Sequence, residues 1–287
     1  MAGAVAAGGA ATESGPPIRR PIPASNEMLP VIGLGTWQTF DVGGGAAREP
    51  LRRVLQRFVE LGGRVVDSSP MYGRAESVVG ELAAGLRVRD KLFVATKVWT
   101  SGRDAGIAQM EESLRRFRVA RLDLMQVHNL VDWRTHLRTL TDWKREGRVR
   151  YVGVTHYTAG AYAELEHIMK TEPLDFVQLN YSLVERDAER RLLPLAADRG
   201  IAVLVNRPLA AGALFRRVRG ERLPGWAGEI GCRSWAQLFL KWIVAHPAVT
   251  SVIPATSRPE HLEDNMQAGV GALPDAAGRD RIAALVA

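Results

Sequence analysis

Short apolar runs rich in β-branched residues recur eight times along the chain, each followed by a segment with helical spacing. The runs are Val31–Leu34, Arg64–Asp67, Leu92–Lys97, Leu122–His128, Val149–Thr155, Phe176–Leu179, Ala202–Asn206 and Thr250–Pro254. Continuous apolar runs of this length predict strands covered on both faces, as in a parallel sheet. Helices are predicted over about 48–61, 75–86, 105–118, 133–146, 159–170, 187–198, 233–245 and 259–268. In the first of these Leu51, Val54, Leu55 and Phe58 repeat at i, i+3, i+4 and i+7, one apolar stripe. Gly62-Gly63, Gly147 and Gly200 follow three of the helices, where a left-handed residue is expected, and Pro259-Glu260 opens the last.

Strand then helix, eight times, predicts an α/β fold that closes as a (β/α)8 TIM barrel. An open doubly wound sheet would carry a glycine-rich nucleotide turn. Gly33-Leu34-Gly35 begins such a turn, but Gln38 stands where the third glycine belongs, and Gly43-Gly44-Gly45 lacks the Lys-Ser/Thr of a phosphate loop. The segment 18–30 precedes the first barrel strand and predicts a short β-hairpin turning at Ala24-Ser25-Asn26-Glu27. A chain of 287 residues suits one such barrel. The expected organisation is a disordered leader at 1–17 and a single barrel domain at 18–287.

The 38 Lys+Arg against 31 Asp+Glu leave a net charge of +7, carried almost wholly by arginine. Arg52/Arg53/Arg57, Arg115/Arg116/Arg118 and Arg216/Arg217/Arg219 are separated by mixed sequence, without the interleaved aromatics of a nucleic-acid face, so no nucleic-acid partner is expected. Cys232 is the sole cysteine and the six histidines are scattered, so neither an intrachain disulfide nor a metal centre is expected. No run of 18 apolar residues provides a membrane span. Arg19-Arg20 is followed by Pro21-Ile22-Pro23-Ala24-Ser25-Asn26-Glu27, too broken by prolines and polar groups for an export signal. A cytoplasmic protein, most simply monomeric and acting on a small molecule, is expected.

In a barrel of this kind chemistry sits where strands end and loops begin. Asp67, Lys97 and His128 end strands two, three and four, and Tyr72 lies in the loop after strand two. Thr155-His156, Gln178 with Asn180, and Asn206-Arg207 end strands five to seven. A free phenol titrates near pH 10, too high for ready proton exchange. An ammonium beside it is expected to lower that value, and a carboxylate behind the lysine to keep it charged. A carbonyl oxygen accepting hydrogen bonds from Tyr72 and His128 would be polarised towards hydride attack and then take the phenol proton.

With these residues in view the chain resembles the aldo-keto reductase superfamily, bacterial type, from about Arg19 to Gly269. The motifs are Gly33-Leu34-Gly35-Thr36-Trp37; Val66-Asp67-Ser68-Ser69-Pro70-Met71-Tyr72-Gly73 with Glu76 and Gly80; Lys97; Leu122-Asp123-Leu124-Met125-Gln126-Val127-His128; and Ile253-Pro254-Ala255-Thr256-Ser257 through Asn265. The resemblance implies metal-free, NAD(P)H-dependent carbonyl reduction with Asp67, Tyr72, Lys97 and His128 as the catalytic set. It implies cofactor contacts from Thr36, Trp37, Asp67, Thr155, His156, Gln178, Asn206, Arg207, Leu209, Thr256, Ser257, Arg258, His261, Asp264 and Asn265. Gln178 falls at the carboxamide position. His156 replaces the family's asparagine there, and Asn206 replaces a stacking aromatic. Ala255 and His261 lack the charges common in NADPH-preferring relatives, which leaves Arg258, at a helix start, for a 2′-phosphate. NADPH is the expected cofactor, with NADH the alternative. Trp37, Trp99 and His128, with Trp133 beside them, are expected to wall the substrate site.

Two other functions fit parts of this pattern. A lysine at a barrel strand end can form a Schiff base, but only if Lys97 is neutral, and Asp67 argues otherwise. A nucleotide-binding redox sensor with slow turnover would tolerate His156 and Asn206.

Overall fold

The structure, a computed structural model, describes residues 15–287; positions 1–14 of the expected leader lie outside the described residues. Arg19–Pro21 (β1) and Met28–Pro30 (β2) pair antiparallel as the predicted hairpin, with Pro21 opposite Met28. Ile22 and Leu29 are fully buried in the cluster that fills the barrel interior.

The repeating runs form eight parallel strands hydrogen-bonded in chain order. They are Leu34–Gly35 (β3), Val65–Asp67 (β4), Phe93–Val98 (β5), Leu122–His128 (β6), Val149–His156 (β7), Phe176–Asn180 (β8), Ala202–Asn206 (β9) and Ser251–Val252 (β10). The sheet closes because β10 returns to the first strand: Gly33 N–H donates to the Val252 carbonyl at 2.8 Å and Gly35 N–H to the Pro254 carbonyl at 3.1 Å. At this seam the regular ladder is shorter than the apolar runs Val31–Leu34 and Thr250–Pro254 suggest. Across this seam a Cβ on Gly35 would stand 2.7 Å from the Ile253 carbonyl oxygen, while one on Gly33 would stand 3.0 Å from that of Val65 on the neighbouring β4. Glycine is therefore required for so close a backbone approach, and isolated bridges replace the ladder there.

The predicted helices form as Glu49–Glu60 (α1), Ala75–Leu86 (α2), Arg103–Phe117 (α3), Trp133–Arg145 (α4), Tyr162–Thr171 (α5) and Leu192–Arg199 (α6); the short Ala213–Arg217 (α7) is not among those predicted, and the predicted Trp235–Val244 (α8) and Pro259–Gln267 (α9) follow it. Two predicted helices start late, because 3-10 turns at Ala159–Ala161 and Asp187–Arg190 precede α5 and α6. Gly62, Gly147 and Gly200 have φ of +82°, +75° and +65°, the left-handed exits expected of them. A further helix, Ala276–Ala284 (α10), has no apolar stripe to announce it. Arg279 holds it, stacking 4.5 Å from the Trp242 ring and donating to Glu189 at 2.6 Å.

Strand alternation then sorts the side chains. Val65, Phe93, Leu124, Tyr151, Phe176 and Leu204 fill the interior, while Val66, Val94, Met125, Val127, Val177 and Val203 face the helices. Continuing the interior stripe by twos along each strand reaches Asp67, Lys97, Gln126 and His128, Thr155, Gln178 and Asn206. Six strands thus deliver polar side chains to one end of an otherwise apolar interior. Among the described residues no helix is long and apolar enough to cross a membrane.

Candidate active site

Lys97 is the central group. Its Nζ donates to Asp67 Oδ2 at 2.7 Å and to the Ser68 carbonyl at 2.6 Å. The other carboxylate oxygen of Asp67 accepts from Gln126 Nε2 at 3.4 Å. The ammonium lies 5.3 Å from the centre of the Tyr72 ring. The His128 ring stands edge-on to that ring, with centroids 5.9 Å apart at 85°. Its Nδ1 is 3.0 Å from Ser69 Oγ.

The Tyr72 loop is shaped by its neighbours. Tyr72 N–H donates to the Ser69 carbonyl at 3.0 Å, and Gly73 turns with φ +59°. A side chain on Gly73 would overlap the carboxylate of Asp41, which accepts from the Arg74 backbone N–H at 3.0 Å. Ser69, Gln126 and Asp41 are contributors that sequence reasoning missed. Gln126 had a signal, since it is polar and two residues before His128 on the same strand face; Asp41 had none. Glu76 and Gly80, by contrast, belong to the packing. Buried Glu76 accepts from Thr96 at 2.6 Å and Ser113 at 2.9 Å, while a Cβ on Gly80 would overlap the Arg116 backbone.

Electrostatics assign protonation states. Burial drags the Lys97 pKa down, but Asp67 and then Tyr72 overcome it, and the ammonium is held above the ordinary lysine value. Burial, reinforced by Lys97, pushes His128 down to about 2, so its imidazole is neutral. Tyr72 departs from expectation. Burial raises its pKa above that of a free phenol, outweighing the pull of Lys97, and Asp67 adds to the rise. The phenol therefore keeps its proton at neutral pH.

The residues expected around a cofactor divide into groups. Thr155 Oγ1 donates to Gln178 Oε1 at 3.0 Å, which leaves Gln178 Nε2 and Asn206 Oδ1 buried without partners at the top of the interior stripe. Thr36 Oγ1 is buried and donates to the Asp67 carbonyl and to Ser68 Oγ, both at 2.9 Å. Arg207 has a left-handed φ of +49° and faces Glu185 at 3.6 Å, and Leu209 packs half-buried against the core. At the start of α9, Thr256 Oγ1 accepts from the Arg258 N–H at 3.1 Å. Ser257 and His261 are exposed, Asn265 is buried, and the Arg258 guanidinium is exposed 3.7 Å from Glu260.

Two expected residues are turned aside. The His156 ring stacks on Tyr157 with centroids 5.6 Å apart, and its Nδ1 accepts from the Thr158 N–H at 3.2 Å. Asp264 accepts from Ser234 at 2.7 Å and Gln237 at 2.6 Å, so its carboxylate ties α9 to α8. Of the residues expected to wall a substrate site, Trp37 and Trp99 are exposed at the loops that follow β3 and β5, and the Trp99 ring centre is 6.5 Å from that of His128. Trp133 does not join them. It is buried at the start of α4, where its indole N–H donates to Glu164 of α5 at 3.0 Å.

Comparisons with known proteins agree with the barrel and its family. The family model described as the aldo/keto reductase family matches residues 31–279. Methylglyoxal reductase YeaE of Escherichia coli (strain K12) is 30% identical over 244 residues, covering 83% of this chain and 84% of that protein. An NADH-specific methylglyoxal reductase of the same organism is 25% identical, over 86% of this chain and 92% of that one. Among solved structures, an aldo/keto reductase from Klebsiella pneumoniae in complex with NADP and acetate superposes with a TM-score of 0.78 at 27% identity, covering 91% of this chain and 93% of that one.

Proposed function

The chain belongs to the aldo/keto reductase family, and on that premise we propose that it reduces an aldehyde or ketone to the alcohol using NADPH, with Tyr72 as the proton donor. The observation that carries this reading is the convergence of Tyr72, His128 and the buried Lys97–Asp67 pair at one barrel end.

A nicotinamide cofactor, when bound, supplies the hydride. The unpartnered amide atoms of Gln178 and Asn206 fit a carboxamide, which both donates and accepts hydrogen bonds. Arg258 and the free N–H groups that open α9 fit a phosphate, although Glu260 beside Arg258 opposes it. Thr155 would fix Gln178 through their hydrogen bond, and Arg207, directly after β9, supplies a further cation.

The substrate oxygen would sit between the Tyr72 hydroxyl and the His128 ring. Both groups are neutral, so each can donate a hydrogen bond without first releasing a charge. As negative charge develops on the substrate oxygen, these donors stabilise it and Tyr72 O–H gives up its proton. The resulting phenolate lies beside the Lys97 ammonium, which Asp67 and the Ser68 carbonyl hold in place. The raised Tyr72 pKa suits a group that must arrive at the reaction protonated. A Schiff base is disfavoured, since Lys97 is held as the ammonium and a nucleophilic amine requires its neutral form.

The test is a panel of aldehydes and ketones, methylglyoxal among them, assayed with NADPH and NADH at the reduced-nicotinamide absorbance. Reduction with NADPH preferred is expected. Binding of either cofactor without turnover of any carbonyl would favour the sensor instead.

A further inference from the structure

The buried hydroxyl of Ser69 has one unassigned proton and, among the described residues, one acceptor in reach. Ser69 is fully buried, and its Oγ accepts the Met71 backbone N–H at 3.3 Å. A buried O–H without an acceptor is costly. The neighbour available to take the Ser69 proton is His128 Nδ1, at 3.0 Å. The geometry points to Ser69 as the residue that sets the tautomer of His128, donating O–H to Nδ1 and so confining the ring proton to Nε2. The inference deepens the proposed function, because a proton on Nε2 makes that nitrogen the donor towards a carbonyl oxygen.

The alternative tautomer fails on proton counting. With the proton on Nδ1, Ser69 Oγ would accept from both Nδ1 and Met71 N–H, and its own hydrogen would be left buried and unpaired. His128 would then present a lone pair on Nε2 to the carbonyl oxygen, repelling it. Protonation of both nitrogens does not rescue that arrangement, since burial and the Lys97 ammonium keep the ring neutral. Pro70 and the Tyr72 N–H bond to the Ser69 carbonyl fix the turn that carries the hydroxyl, so the same four-residue turn that presents Tyr72 also aims His128. Ser69 is a positioning residue: it acts through His128 and does not touch the reacting atoms.

Nitrogen-15 NMR of the imidazole in the free protein reads the tautomer directly, with His128→Gln identifying the resonances. The expected result is a single neutral form protonated at Nε2. In Ser69→Ala the ring should show a mixture of both forms, with kcat for 4-nitrobenzaldehyde reduction falling about 3- to 10-fold and NADPH affinity unchanged. Ser69→Thr, which keeps the hydroxyl, should restore both the Nε2 form and the rate. Wild-type protein protonated at Nδ1, or Ser69→Ala with the Nε2 form and rate intact, overturns the inference. Because the tautomer is read without substrate or cofactor, a wild type that reduced no carbonyl would strike the proposed function and leave the Ser69 result standing.

Discussion

The Lys97 ammonium and the Asp67 carboxylate meet at 2.7 Å with their side chains only 1% and 4% exposed. A pair this deep gains its stability from mutual compensation, and either charge left alone would be strongly disfavoured. Its partners reach outward to the phenol of Tyr72 and to Gln126, so one buried ion pair positions the candidate site and also constrains the fold.

Removing one member should therefore cost far more than removing the pair. Lys97→Met is expected to destabilise the protein by about 3–5 kcal/mol, since a buried carboxylate is left uncompensated. Adding Asp67→Asn should recover a substantial part of that loss. Urea denaturation of the two single variants and the double variant measures the coupling. Additive losses would mean that the pair contributes nothing as a pair.

Tyr72→Phe should reduce carbonyl turnover by about 10²–10⁴-fold, the usual loss for a general acid. Cofactor dissociation constants should stay close to wild type, because the phenol faces the substrate oxygen in the proposed mechanism. Steady-state kinetics with fluorescence titration of NADPH checks both halves. A variant that keeps its turnover removes Tyr72 from the proton transfer.

Cofactor preference should depend on Arg258. A charge-assisted contact contributes roughly 1.5–3 kcal/mol, so Arg258→Ala is expected to weaken NADPH about 10- to 150-fold while barely changing NADH. Glu260, 3.7 Å from the guanidinium, should oppose the phosphate, and Glu260→Gln should therefore tighten NADPH. Dissociation constants for both cofactors provide the readout. Equal losses for NADPH and NADH in Arg258→Ala would assign that arginine to the shared part of the dinucleotide.

Acid stability should carry a histidine signature. Burial, then Arg279, lowers His246 to about 4, and burial lowers His128 to about 2. Both bind a proton more readily unfolded, near pH 6.5, than folded. Their contribution to stability is complete above about pH 6.5 and is lost as the pH falls towards the folded values. Melting temperature should thus decline between about pH 6.5 and 5, above the range where most carboxylates titrate. His246→Asn should flatten that decline. An unchanged slope in the variant would mean that His246 binds its proton as readily in the folded protein as in the unfolded chain.

Much of the architecture was legible because it is written locally. A β-branched run followed by a helical stripe needs only neighbouring residues to declare itself, and counting eight such units gave the barrel. The same reading marked Asp67, Lys97 and His128 at strand ends, because period-two alternation carries an interior stripe to one mouth. Where local patterning was silent, the reading fell short. Helix α10 buries the single apolar residue Ile282 and leans on Arg279 against Trp242, and at the seam a Cβ on Gly35 would meet the Ile253 backbone.

What the sequence by itself determined was the order of strands and helices and the residue types brought to the strand ends. Only the tertiary structure decided how those residues behave there. It turned His156 to Tyr157 and Asp264 to Ser234, buried Trp133 with its indole on Glu164, and brought Asp41 and Ser69 against the Tyr72 loop and His128. It also reversed the expected direction of the Tyr72 pKa. Lys97 pulls that phenol down as its proximity suggested, but burial raises it further. Proximity along a motif is encoded in the chain, whereas desolvation depends on everything packed around the group, and that exists only once the barrel has closed.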